Sequence, residues 1–130
     1  MDNSYCVEAG SGSLSSRVGL GKCSKNTSKQ KFKLTWHKDI RFRDSQCFDV
    51  SIGGDFAPVN FFQCHGAKGN QLWKYEKDAQ TLVHVNSNRC LEIDTSDRKI
   101  FVSGCVEDDL SQKWTLENLD EETLAKWDDL

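Results

Sequence analysis

The chain has 130 residues, of which 37% are hydrophobic and 28% charged, and its formal net charge is −3. This length suits a single domain with its own core, and the composition excludes a disordered chain, a coiled coil and a collagen-like repeat. No apolar stretch approaches the roughly 18 residues of a membrane-spanning helix, and the weak negative charge does not favour nucleic acid.

Short strands dominate the predicted elements. Alternation of polar and apolar residues, or enrichment in β-branched and aromatic residues, predicts strands over 31–36, 48–52, 81–85 and 99–103. Glycine and asparagine clusters predict turns over 53–54, 66–69 and 86–88, and Pro58 is expected in a loop. Only residues 119–127 have helical spacing, with acidic residues in the first turn.

Charge is spread unevenly along the chain. Residues 22–43 hold eight Lys/Arg and one acid, for a net charge of +7, whereas residues 117–130 hold six acids and one Lys, for −5. These segments are interpreted as two solvated faces that can pair with each other. The alternative is that the basic stretch attracts acidic partners.

Six cysteines in a chain of this size indicate disulfides and an oxidising compartment. The first residues carry no secretory signal, so we expect a domain of a longer protein. The second cysteines recur at intervals of 41, and a Gln-x-aromatic motif follows each by seven residues. The motifs begin at Gln30, Gln71 and Gln112, and their aromatic residues are Phe32, Trp73 and Trp114.

This threefold repeat selects one of the 15 pairings that six cysteines allow. The predicted disulfides are Cys6–Cys23, Cys47–Cys64 and Cys90–Cys105. Each would stabilise the fold by roughly 3 kcal/mol through loop closure. A zinc site is the alternative, but the chain has no Cys-x-x-Cys. Three such units imply a closed pseudo-threefold β structure, with the repeated aromatics in a shared core and the glutamines bridging backbone groups between units.

The cysteines and the Gln-x-aromatic triplet resemble the ricin-type lectin domain. The block from Cys64 and His65 through Asn70-Gln71-Leu72-Trp73 is similar to the C-terminal lectin domain of polypeptide GalNAc-transferases. The resemblance implies an all-β fold, a β-trefoil of three pseudo-symmetric repeats with three intra-repeat disulfides. The expected domain is 1–118, with repeats at about 4–40, 41–84 and 85–118, followed by an acidic tail at 119–130.

A site for a neutral sugar needs a carboxylate to accept hydroxyl hydrogen bonds, an aromatic ring to stack, and amide or imidazole donors. The middle unit has all of these, in Asp49, Phe62, His65 and Asn70. The resemblance implies that these four positions line a GalNAc pocket. Each also has a structural alternative: Asp49 and Asn70 in turns, Phe62 in the core, and His65 as a satisfied structural histidine.

The outer units lack this set. The same offsets give Glu8, Gly21, Ser24 and Lys29 in the first unit, and Glu92, Ser103, Val106 and Ser111 in the third. Only a longer acid remains in each, and its carboxylate should reach into space that the sugar would occupy. The middle unit is therefore the predicted site.

No catalytic motif is evident, so we expect a binding module with no cofactor or metal of its own. The resemblance implies a Golgi-lumen domain of a single-pass type II membrane enzyme, whose separate catalytic domain would use Mn²⁺ and UDP-GalNAc. Its partners would be that catalytic domain and GalNAc-bearing glycopeptides or mucins, without nucleic acid or direct membrane contact. The alternatives are a free-standing or secreted galactose/GalNAc lectin, a carbohydrate module of another enzyme or toxin, and a non-lectin trefoil that binds protein.

Overall fold

A computed structural model describes residues 5–10, 13–35, 37–51, 54–94 and 96–116. These residues form eleven short strands and three 3₁₀ turns, and they contain no α-helix. The strands are β1 (Tyr5–Glu8), β2 (Gly19–Lys22), β3 (Lys33–Leu34), β4 (Ile40–Phe42), β5 (Gln46–Asp49), β6 (Ala57–Pro58), β7 (Asn60–Gln63), β8 (Trp73–Glu76), β9 (Thr81–His84), β10 (Arg89–Asp94) and β11 (Lys99–Gly104).

The 3₁₀ turns are Ser28–Gln30, Gly69–Gln71 and Leu110–Gln112, so each ends on a repeated glutamine. The predicted helix over 119–127 and the acidic tail lie outside the described residues. Within the described part, no helix has the length and hydropathy needed to cross a membrane.

Three predicted elements differ from the structure. The strand expected over 31–36 shortens to β3, because the Lys31 N–H bonds to Ser28 in the 3₁₀ turn and the Thr35 N–H bonds to Asp39. β5 ends at Asp49 because the Val50 N–H leaves the sheet for the Asn70 carbonyl. The loop expected at Pro58 is wrong: Pro58 belongs to β6, a two-residue edge strand that tolerates the missing N–H.

Three equivalent hairpins form the framework of the molecule. They are β1–β2, β5–β7 and β10–β11, and in each the first cysteine lies directly opposite position 21, 62 or 103 of the partner strand. The second cysteine follows the second strand and closes the disulfide. All three predicted disulfides are confirmed.

Two sheets converge on one core. One sheet has the order β1-β2-β11-β10-β9-β8, with β6 also paired to β11, and the other has the order β3-β4-β5-β7. Trp73 and Trp114 are buried in the common core as expected, while Phe32 is half-buried and packs edge-on against Phe48 with ring centroids 5.1 Å apart. The core thus joins all three repeats in the predicted β-trefoil arrangement.

Candidate functional site

Asp49 ends β5 with its carboxylate only partly engaged. Successive side chains of a strand alternate between faces, so Phe48 enters the core while Asp49 shares the opposite face with Cys47. The residue is 7% exposed, and Gln71 Nε2 donates to its Oδ2 at 3.0 Å. No described residue donates to Oδ1. One carboxylate oxygen is therefore held by the protein and the other remains able to accept hydrogen bonds.

The side chain of Gln71 forms hydrogen bonds to three groups around this site. Its buried amide donates to Asp49 and to the Gln63 carbonyl, both at 3.0 Å, and accepts from the His65 N–H at 3.3 Å. Gln71 therefore bonds Asp49 and the His65 backbone directly. Asn70 is next to Gln71 in the chain, and Phe62 is next to Gln63, whose carbonyl Gln71 also bonds.

The same arrangement recurs in the other repeats. Gln30 bonds Glu8, the Lys22 carbonyl and the Ser24 N–H, and Gln112 bonds Glu92, the Gly104 carbonyl and the Val106 N–H. The expectation that these glutamines link separate units is wrong. Each amide closes its own repeat, because the disulfide brings the residues flanking the second cysteine back beside the first strand.

Asn70 is fixed through both its backbone and its side chain. Its carbonyl accepts from His84 Nε2 at 2.8 Å and from the Val50 N–H at 3.2 Å. Its side-chain Oδ1 accepts from Asn86 Nδ2 at 3.0 Å. With the oxygen so occupied, the Asn70 Nδ2 group has no partner among the described residues and is free to donate.

His84 is a positioning residue that the sequence analysis did not identify. It is 1% exposed, contacts the edge of Trp73 and lies within 2.7 Å of the Ser87 hydroxyl through Nδ1. Burial lowers the pKa of His84, an effect partly offset by the Asn70 carbonyl and by the charge of Asp49. A neutral ring that donates from Nε2 therefore anchors Asn70. The available signal was a histidine on the apolar side of the alternating strand β9.

Phe62 lies on the same sheet face as Asp49. It pairs with Cys47 across the hairpin and is half-buried, whereas its neighbour Phe61 is completely buried against Phe42 and Phe48. Because the core is filled by Phe61, the alternative that assigned Phe62 to the core does not account for its position. A ring face beside the carboxylate is what a sugar's C–H face requires.

His65 lies at the exposed rim of the site. Its Nδ1 accepts from the Ala67 N–H at 2.9 Å, so the neutral ring carries its proton on Nε2. Nδ1 thus has the role of a satisfied structural histidine, which was the alternative for His65, and Nε2 can donate to a ligand. The wall beside it comes from the first repeat, because His37 lies 3.7 Å from the position a Cβ would take on Gly66.

The equivalent positions in the outer repeats are built differently. A Cβ placed on Gly21 would lie 2.6–2.8 Å from the carboxylate atoms of Glu8, so this carboxylate occupies the space that Phe62 takes in the middle repeat. In the third repeat Ser103 replaces the aromatic, and Ser111 bonds back to Asp109 through both its N–H and its hydroxyl.

One cluster of potential metal ligands occurs in the described residues, and its ligands are already engaged. Asp39 lies near Cys47 and Cys64, but these two cysteines form a disulfide. Asp39 accepts from Arg41 Nε at 2.9 Å and from Nη2 at 3.0 Å, and it also accepts from the Thr35 hydroxyl. This cluster is a buried ion pair beside the disulfide.

The basic stretch forms an exposed surface around Gln30, which we call the lysine face: Lys22, Lys25, Lys29 and Lys31. Gln30 bonds the Lys22 carbonyl and the Ser24 N–H, which places the backbone of residues 22–24 beside the 3₁₀ turn that contains Lys29. No described carboxylate forms an ion pair with any of them. Lys33 instead pairs with Asp44 at 3.8 Å.

Comparison with known proteins agrees with this architecture. A family model described as the ricin-type beta-trefoil lectin domain matches residues 1–114. Human polypeptide N-acetylgalactosaminyltransferase 10 is 36% identical over 133 residues, covering 94% of this chain and 22% of the relative. Drosophila melanogaster N-acetylgalactosaminyltransferase 4 is 33% identical over 119 residues, covering 85% of this chain and 18% of the relative.

Two solved structures share the fold. The crystal structure of GalNAc-T7 with UDP, GalNAc and Mn²⁺ superposes with a TM-score of 0.79 at 24% identity, covering 88% of this chain and 20% of that one. Agglutinin from Abrus precatorius superposes with a TM-score of 0.73 at 17% identity, covering 86% and 42%. The chain spans about a fifth of the transferases' length, so the similarity is to a lectin domain, a binding module, and not to a whole enzyme.

Proposed function

Because the chain belongs to the ricin-type β-trefoil lectin family, a family of carbohydrate-binding domains, we propose that it binds GalNAc through its middle repeat. The observation that carries this proposal is that the side chains of Asp49 and Asn70 are each only half satisfied by the protein. Each side chain has one polar atom held by a neighbouring amide and the other without a described partner. Such paired, pre-oriented acceptors and donors suit a ligand rich in hydroxyls.

Each residue has a distinct role in the proposed complex. Asp49 Oδ1 accepts from the 3- and 4-hydroxyls, and Asn70 Nδ2 donates to one of them. His65 donates from Nε2, and the Phe62 ring stacks on the C–H face of the sugar. Because an axial 4-hydroxyl turns toward Asp49, the site should prefer galactose-type sugars over glucose-type sugars. Binding should be weak, with a Kd on the order of millimolar, because each hydroxyl exchanges a water partner.

We further propose that the module serves a polypeptide GalNAc-transferase, in keeping with the relatives named above. By holding a GalNAc already placed on a mucin-type glycopeptide, it would raise the effective concentration of nearby acceptors at a tethered catalytic domain. That domain would supply the Mn²⁺ and UDP-GalNAc chemistry, and the setting would be the Golgi lumen. The three disulfides are compatible with such an oxidising compartment.

The test is titration of a GalNAc-bearing glycopeptide into the ¹⁵N-labelled domain, followed by amide NMR. Saturable shifts are expected at His65, Asn70 and their neighbours, and they should disappear in Asp49→Ala. Glu8→Ala is the matched control, because it removes the equivalent acid from the first repeat. Retained shifts in a folded Asp49→Ala protein, or no shifts in the unmodified protein, would contradict the proposal.

A further inference from the structure

A second aromatic ring faces solvent at the junction of the second and third repeats. Phe56 precedes β6 and is 68% exposed, with its backbone in the left-handed region at φ 64°. Ser15, at the same offset before the second cysteine of the first repeat, has φ 68°, so the conformation belongs to a turn that both repeats share, and in the middle repeat this turn carries an aromatic side chain. The ring contacts buried Phe101 with centroids 5.2 Å apart, but most of its surface is left in water.

The strand register places this ring beside the third repeat. β6 pairs antiparallel with β11 through Phe101↔Pro58 and Val102↔Ala57. Continued by one residue, the register sets Phe56 beside Ser103 and Asp55 beside Gly104. Ser103 occupies the position that Phe62 has in the middle repeat, with a small hydroxyl side chain in place of an aromatic ring.

A pre-oriented carboxylate lies next to the ring. Asp55 Oδ1 accepts from Arg89 Nε at 3.0 Å and from the Gly104 N–H at 2.9 Å. These bonds, above all the one from Arg89, lower the pKa of Asp55, and the Ser103 hydroxyl is within hydrogen-bonding reach of the same carboxyl. Arg89 is itself fixed through Nη1 by the Ser87 carbonyl at 3.2 Å.

We propose that Asp55, Phe56, Arg89 and Ser103 form a second carbohydrate site, for a neutral pyranose. The C–H face of the sugar stacks on Phe56, and vicinal hydroxyls bond to Asp55 Oδ2 and the Ser103 hydroxyl. The Nη2 group of Arg89 has no described partner and donates to a further hydroxyl. The aromatic and the carboxylate come from the loop before β6, so only Ser103 corresponds to a position of the middle-repeat site.

The experiment is carried out in an Asp49→Ala background, which removes the middle-repeat site and separates this proposal from the proposed function. The probes are methyl α-N-acetylgalactosaminide and methyl α-glucopyranoside, each titrated to about 50 mM, above the range of weak millimolar sites. We expect saturable amide shifts at Phe56, Ser103 and Gly104 with at least one probe. Absence of such shifts with both probes would overturn the proposal.

One variant and a matched control measure how much the Phe56 ring contributes to sugar binding. Phe56→Gly suits the positive φ and should weaken binding at this junction by at least about tenfold, the order expected for a lost stacking partner. Leu110→Ser is the matched control, because Leu110 is also 68% exposed but lies in the 3₁₀ turn of the third repeat. Equal affinity in Phe56→Gly, or an equal loss in Leu110→Ser, would contradict the assignment.

Discussion

Replacing Gln71 by leucine should destabilise the fold and abolish sugar binding, whereas the same change at Gln112 should only destabilise it. Both amides are buried and make three hydrogen bonds of 2.8–3.3 Å to the same kinds of group. Leucine has a similar volume, so the perturbation is the loss of polar partners and not a cavity. The two variants therefore differ in which repeat they affect.

The magnitude follows from the groups left unpaired. Gln71→Leu leaves the Asp49 carboxylate, the Gln63 carbonyl and the His65 N–H without their partner. An unpaired buried polar group costs about 1–3 kcal/mol, but water can reach the backbone of exposed Gln63 and His65. We therefore expect a loss of about 3 kcal/mol in the free energy of unfolding, which lowers Tm by about 10 °C. Gln112→Leu should cost a similar amount.

Urea unfolding followed by tryptophan fluorescence measures the stability of both variants, and glycopeptide titration by NMR measures binding at a temperature where both are folded. We expect Gln112→Leu to bind with unchanged affinity and Gln71→Leu to show no saturable shifts at the middle repeat. Equal loss of binding in the two variants would refute the role of Gln71 in orienting Asp49, because binding would then follow general stability. Retained binding in Gln71→Leu would refute it as well.

Three further outcomes are expected. Burial lowers the pKa of His84 below its unfolded value near 6.5. Because the unfolded chain then binds more protons, stability should fall as pH drops below about 6.5. Urea unfolding midpoints measured across this range should show the fall, and His84→Phe should remove this pH dependence. Asn86→Ala should weaken GalNAc binding roughly 3- to 10-fold by releasing one hydrogen bond to Asn70, with Tm unchanged, and unchanged affinity in the NMR titration would contradict this. Replacing the lysine face by glutamine should reduce the preference for acidic over basic glycopeptides at low salt, and equal preference before and after would contradict a role for its charge.

The disulfide pairing and the trefoil could be predicted from the sequence because both depend on a repeat in register. The second cysteine of each pair, a glutamine and an aromatic residue recur at intervals of 41, and each position has the same structural task in every unit. The glutamines close their own repeats, which spacing alone does not specify, since a buried amide can bond to any nearby backbone group. Three-dimensional proximity, set by the disulfide, decides which groups those are.

Two residues outside the recurring pattern were not identified from the sequence. His84 supports Asn70 from the end of β9, and Phe56 reaches β11 of the next repeat. Neither belongs to the recurring pattern, because the position equivalent to His84 in the first repeat is Phe42, which is buried in the core. These contacts depend on the three-dimensional packing of loops and strands, within one repeat for His84 and between repeats for Phe56, and they carry no signal at a constant spacing.

The difference between aspartate and glutamate explains why the first repeat lacks the site predicted for the middle repeat. In every repeat the glutamine amide bonds the acid, at 3.2 Å for Glu8, 3.0 Å for Asp49 and 2.8 Å for Glu92. The acid's structural task is therefore compatible with either length. The extra methylene of Glu8 places its carboxylate over Gly21, where a side chain could not fit without displacing it. The shorter Asp49 leaves that place to Phe62, so among the three equivalent sets of positions only the middle repeat has both a carboxylate and an aromatic ring, and in the third repeat Ser103 supplies no ring.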